Sequence, residues 1–208
     1  MTRLVIATTL SLGVLAALTS GSPSISRLAK MAASTLVFGF LAIEADPWTT
    51  YAAGVGVALA ASWIGDLSLS FVGRRAFIVG LVAFAGAHIS YIAAFVLRDG
   101  FSVPWFTVGV GAMVITGVAV LRWLRPHRPA ELAAPLAAYV TIIALMVAMA
   151  FATHGATPDP RIPLAAMLFA ASDILVARQQ FVAPAAANRL VGLPMYFAAQ
   201  LLFVLSAI

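Results

Sequence analysis

The feature that most constrains this chain is a succession of apolar runs, each about 16–24 residues long, separated by short stretches that hold the charges and the Gly/Pro clusters. Read as helix at 1.5 Å per residue, a run of that length matches a hydrocarbon core of roughly 30 Å, and none alternates as a barrel strand would. Composition removes the water-soluble alternatives. With 63% apolar and 9% charged residues, too little polar surface is left to clothe a soluble domain. In lipid the backbone must satisfy its own hydrogen bonds, so the expectation is an all-α, polytopic membrane protein. Punctuation places eight transmembrane helices near 4–19, 28–44, 48–71, 75–97, 103–124, 130–153, 162–181 and 190–208, in one bundle and one domain, 1–208.

The formal charge of +5 sits on basic residues that occur singly or in pairs between apolar runs, a topology signal rather than a nucleic-acid patch. With an even number of spans the termini share a side, together with Arg3, Arg98 and Arg161. The opposite side carries Arg27, Lys30, Arg74, Arg75, Arg122, Arg125, Arg128, Arg178 and Arg189. That bias puts both termini outside the cytoplasm. The first run, with Arg3 before it and Thr19, Ser20, Gly21 and Ser22 after it, also reads as a signal peptide. Its removal would send the nine basic residues to the wrong face, which favours a retained helix. The chain has no cysteine, and its three histidines, His88, His127 and His154, fall in separate segments without a metal-binding spacing, so no metal and no cofactor is expected.

Two acids lie inside apolar runs: Asp66 in the third span and Asp173 in the seventh. An intramembrane carboxylate costs roughly 2.5–3.5 kcal/mol on insertion scales, so its default reading is functional, with a structural hydrogen-bonding pair as the alternative. The helices that follow them share a pattern at an offset of 112, Val79-Gly80-Leu81 with Phe84 and His88 against Val191-Gly192-Leu193 with Tyr196 and Gln200. This suggests a four-plus-four parallel repeat. Counting from the nearer helix ends puts Asp66 and Asp173 about 9 and 12 Å deep, level with Tyr196, Gln200 and Ser34, and puts His88 and Tyr91 about 20 Å deep. The expected site is a polar pocket in the cytoplasmic half with an apolar extension, a shape that suits a lipid. Lys30 and Arg27 stand at its rim, where they could hold a phosphate or simply mark the cytoplasmic helix end.

Lys30, Gly65-Asp66, Phe77, Gly80, Phe84, His88 and Tyr91, then Leu168, Phe169, Ser172 and Asp173, then Leu193-Pro194-Met195-Tyr196 follow in an order that resembles the YhhN family of integral membrane lysoplasmalogenases. The resemblance implies hydrolysis of the vinyl ether of a lysoplasmalogen to a fatty aldehyde and a glycerophosphoethanolamine or glycerophosphocholine. Two neighbouring buried carboxyls suit that chemistry, because they titrate apart and one can hold a proton while the other is ionised. Asp173 is expected as the acid and Asp66 as the base, with Lys30, Ser34, His88, Tyr91, Ser172, Tyr196 and Gln200 binding substrate or supporting them. A transporter using the intramembrane Asp pair is the alternative. A retinal receptor would need a deeply buried lysine, and Lys30, the only one, lies at a helix mouth.

Overall fold

The computed structural model describes residues 13, 14, 18, 21–98 and 100–208. Most of the expected first span at 4–19, with Arg3 and Asp99, lies outside the described residues. Among those described, every regular element is a helix, and there are seven α-helices: α1 (Pro23–Glu44), α2 (Thr50–Ser68), α3 (Arg74–Val96), α4 (Val103–Leu124), α5 (Ala133–Ala156), α6 (Arg161–Ala177) and α7 (Ala186–Ala207). Six are long and apolar enough to cross a membrane, α5 counted with the short turn before it, from Ala130, and α6 with the turn after it, to Val182. The exception is α2, which carries Thr50, Tyr51, Ser62, Trp63 and Asp66 in its 19 residues.

Helix starts follow local chemistry. Pro23 occupies the first turn of α1, where a missing N–H costs nothing, so this helix starts before the expected residue 28. Thr49 caps α2, its hydroxyl accepting from the Ala52 N–H at 3.0 Å. Gly73 precedes α3 with φ at +124°, a conformation that a side chain would oppose. Asp159 accepts from the Arg161 N–H at 3.1 Å at the start of α6.

Six helices close a ring in which α1 packs on α2, α2 on α3, α3 on α5, α5 on α6, α6 on α7 and α7 back on α1; α2 also touches α7, and α4 lies outside against α5. Small residues set the close approaches. A Cβ on Gly54 would lie 2.7 Å from Ala94, one on Gly65 2.6 Å from the Phe84 ring, and one on Gly109 2.8 Å from the Ala148 backbone. Large apolar side chains such as Val57, Val82, Ile115, Leu164 and Val191 point outward, whereas Asp66, His88 and Gln200 are buried. This inverted distribution is that of a multi-pass membrane protein, with lipid covering the apolar exterior.

Two polar ends bound the bundle. At one, Arg27 stacks over Phe71, Arg189 donates to Ser26 and Arg74 pairs with Glu131. At the other, the Arg161 side chain makes two hydrogen bonds to Asp159 and a third to the Leu205 carbonyl, and Arg98 donates to the Ser206 carbonyl at 3.1 Å. Tyr51, the second residue of α2, shares a hydrogen bond with Ser206 at that same end.

Candidate active site

The intramembrane polar side chains fall into two sets. In the first, Asp66 of α2 takes two donors on Oδ2, Ser34 Oγ of α1 at 2.6 Å and Tyr196 OH of α7 at 2.7 Å, and its Oδ1 forms an ion pair with Lys30 Nζ at 3.5 Å. The chain of donors continues backward, because Gln200 Nε2 donates to Tyr196 OH at 3.0 Å and Tyr91 OH donates to Gln200 Oε1 at 2.5 Å. The chain from Tyr91 through Gln200 and Tyr196 therefore points toward Asp66. Such an arrangement stabilises a carboxylate, and the Lys30 ammonium balances its charge inside the bundle.

In the second set, Oδ2 of Asp173 on α6 receives Tyr139 OH of α5 at 3.1 Å and lies 3.0 Å from His88 Nε2 of α3. His88 Nε2 and Tyr139 OH are themselves 3.3 Å apart, and His88 is fully buried with its Nδ1 left without a partner among the described residues. No side chain among the described residues hydrogen-bonds Oδ1 of Asp173. The two sets share no partner among those residues. The ring of Phe169 packs against His88 at 4.6 Å and against Tyr196 at 5.3 Å, so one aromatic side chain touches both.

The second set borders a cavity. A cavity of about 300 Å³ lies between α3, α4, α5 and α6, and its wall includes Asp173, Tyr139 and Thr116 among residues that are otherwise apolar. The side chain of Asp173 retains 12% exposure there, against 5% for Asp66, which is absent from that wall. An apolar cavity with one carboxyl fixed at its side is suited to placing an alkyl chain beside a proton donor or acceptor.

Of the residues expected from sequence, Lys30, Ser34, Tyr91, Tyr196 and Gln200 gather around Asp66, and His88 joins Asp173. Ser172 is buried, but its hydroxyl is used on the Phe169 carbonyl at 2.7 Å. Lys30 forms an ion pair with Asp66 and is 16% exposed. Depth counting separated His88 from Asp173 because it measures along each helix axis, blind to tilt and side-chain reach. Tyr139 escaped the sequence reading. Its one signal was a phenol in the run Ala138-Tyr139-Val140, and nothing there distinguishes a site tyrosine from an interface anchor. No group of His, Asp and Glu among the described residues could hold a metal ion.

Residues 25–207 match the sequence profile described as the YhhN family. Curated relatives include the pig protein named lysoplasmalogenase TMEM86B, 34% identical over 156 residues, covering 75% of this chain and 64% of that protein. The human lysoplasmalogenase TMEM86B is 33% identical over 151 residues, covering 73% and 62%. The bovine lysoplasmalogenase TMEM86A is 29% identical over 158 residues, covering 73% and 64%. The chain thus spans less than two thirds of the length of the curated relatives it matches. No solved structure is a significant match.

Proposed function

We propose that this chain, which belongs to the YhhN family, hydrolyses the vinyl ether of lysoplasmalogens, releasing a fatty aldehyde and a glycerophospho-headgroup. The names of the relatives support the reaction, and the observation that carries it is Asp173 held by His88 and Tyr139 at the wall of an apolar cavity. Two protons have to move. Asp173, protonated, gives its proton to the β-carbon of the vinyl ether, and the double-bond electrons form the new C–H bond. Positive charge is left on the α-carbon and ether oxygen, where the Asp173 carboxylate stabilises it. Water adds to the α-carbon and returns a proton to Asp173, giving a hemiacetal. Asp173 then passes that proton to the glycerol oxygen, the C–O bond breaks with its electrons going to that oxygen, and the hemiacetal hydroxyl gives its proton to the Asp173 carboxylate, yielding aldehyde, glycerol hydroxyl and protonated Asp173 again. His88 and Tyr139 hold Oδ2 and leave Oδ1 for these transfers.

Asp66 has a different part in this reading. With both oxygens engaged and no place on the cavity wall, it acts as a fixed anion that positions Tyr196 and, through Tyr196 and Phe169, the packing beneath His88. No observation favours the transporter alternative. Acyl transfer lacks support too, because Ser34 donates to Asp66 and Ser172 to a carbonyl, and neither pairs with a histidine among the described residues.

The eight-span, four-plus-four arrangement belongs to the same proposal. If residues 4–19 form a further helix, α1, α2 and α3 correspond to α5, α6 and α7 and occupy opposite arcs of the ring. Each intramembrane Asp then bonds to the other half: Asp66 to Tyr196 of α7, Asp173 to His88 of α3. Gly13 lies against Ala29 and Ala33 of α1, as α4 lies against α5. Both termini are placed outside the cytoplasm, in a cell membrane of bacterial type.

The test is incubation of purified protein with a defined lysoplasmalogen and assay of free aldehyde. Aldehyde should appear, and the ester lysolipid of the same chain and headgroup should stay intact. Fatty acid release from the ester at a comparable rate would overturn the vinyl ether assignment.

A further inference from the structure

The cavity has a direction as well as a volume. Its wall runs along α5 from Leu136 through Tyr139, Ile143 and Val147 to Phe151, one residue per turn on one face. Tyr139 marks the level of Asp173, and the twelve residue steps from Tyr139 to Phe151 span about 18 Å of helix. A space of about 300 Å³ drawn out along such a length is a narrow channel. Its shallow end lies beside Leu124, Leu136 and Ala177, next to the basic residues Arg125 and Arg178. Its deep end is apolar.

The channel also has a side. On α6, Met167 and Val176 line it and are 44% and 38% exposed. On α4, Ala112 and Thr116 line it and are exposed as well. Among the described residues the main packing partner of α4 is α5, and the seam between α4 and α6 is held by no extensive helix contact there. Residues that belong at once to a cavity wall and to a lipid-facing surface mark an opening toward the bilayer.

We infer that this channel is the binding site for the substrate's hydrocarbon chain, that the chain enters sideways from the bilayer through the seam between α4 and α6, and that Phe151 measures its length. The inference rests on the lysoplasmalogenase reading and adds to it the site, route and length determinant of the chain. Substrate lies with its polar end toward Arg125 and Arg178, its ether carbon at Asp173 and its methyl end toward Phe151. A chain that reaches Phe151 fills the channel. A longer one meets its ring, and a shorter one leaves apolar wall uncovered.

Two measurements test this. In the first, the wild-type protein in lipid nanodiscs is irradiated with a single-chain, saturated ether glycerophosphoethanolamine bearing a diazirine at the chain end, and the adducts are mapped by mass spectrometry. Labels should fall on α5 around Val147 and Phe151 and on α6 around Met167. In the second, aldehyde release is profiled against chain length. Phe151→Ala should raise kcat/KM for a chain two carbons beyond the wild-type optimum by about tenfold, and Val147→Phe should shift the optimum to shorter chains, since a single methylene in an apolar pocket is worth tenfold or more. Labels on α1, α2 or α7, or no labels, would overturn the inference, as would an unchanged length profile in both variants. Correct labelling without aldehyde from any substrate would leave the chain site standing and sink the lysoplasmalogenase reading. Variants that do not fold leave the decision to the wild-type labelling.

Discussion

At the scale of single residues, two aspartates that look alike in sequence differ in their surroundings. Asp66 is ringed by Lys30, Ser34 and Tyr196, whereas Asp173 holds one oxygen against His88 and Tyr139 and has no side-chain partner on the other among the described residues. Asparagine at either position keeps size and removes the exchangeable proton. Asp173→Asn should lower turnover by about 10²–10⁴-fold, the usual range for loss of a general acid, in protein that extracts and melts normally. Asp66→Asn should lower turnover by less and leave the shape of the pH–rate profile unchanged. Equal losses with a displaced profile in Asp66→Asn would restore it as a proton-transferring partner.

At the scale of elements, the contact between α2 and α3 sets the separation of the two polar sets, since Asp66 lies on one helix and His88 on the other. Gly54 and Gly65 bring these helices close, and Gly54 faces the Cα and Cβ of Ala94 rather than a movable side-chain tip. Gly54→Ala should therefore force the backbones apart and cost about 1–3 kcal/mol, read as a lowered midpoint of thermal unfolding in detergent. An unchanged midpoint would mean that the helices can separate without loss. Of the expected spans, the seven that fall on described residues were readable from apolar run length to within about five residues at each end, because lipid thickness fixes that length. The π-helical turn at Arg178–Val182 was not, since it is stabilised by Gln179 accepting from Ala185 N and Asn188 Nδ2, partners supplied by the following turn.

For the whole molecule, the end bearing Asp159 joins three parts of the chain: Arg98 after α3, Arg161 at the start of α6 and the carbonyls of Leu205 and Ser206 in α7. Burial opposes ionisation of Asp159, yet hydrogen bonds from Arg161 and the nearby charges of Arg161 and Arg98 outweigh it and hold the carboxyl below its ordinary value of 3.8. A lowered folded-state pKa contributes stability that is fully present above 3.8 and is lost as pH falls through the folded value. Acidification through that window should lower the unfolding temperature, and Asp159→Asn should flatten the dependence. If the slope is the same in that variant, other groups are responsible. A reporter fused after Ile208 should read as non-cytoplasmic, together with the loop at Asp159. A cytoplasmic reading would reverse the orientation argued from the arginines.

The sequence by itself determined that the chain is helical and membrane-embedded, because its apolar runs leave no other way to satisfy the backbone in lipid. It also singled out Asp66, Asp173, His88, Tyr196 and Gln200, because a polar side chain in such a run stands out against its neighbours. Which of these touch one another was settled only by tertiary packing. Pairing depends on helix rotation, tilt and neighbour order, and an axial count contains none of these. The same holds for Tyr139, an unremarkable phenol until α5 turns it toward Asp173, and for the cavity, which exists only where four helices leave space between them.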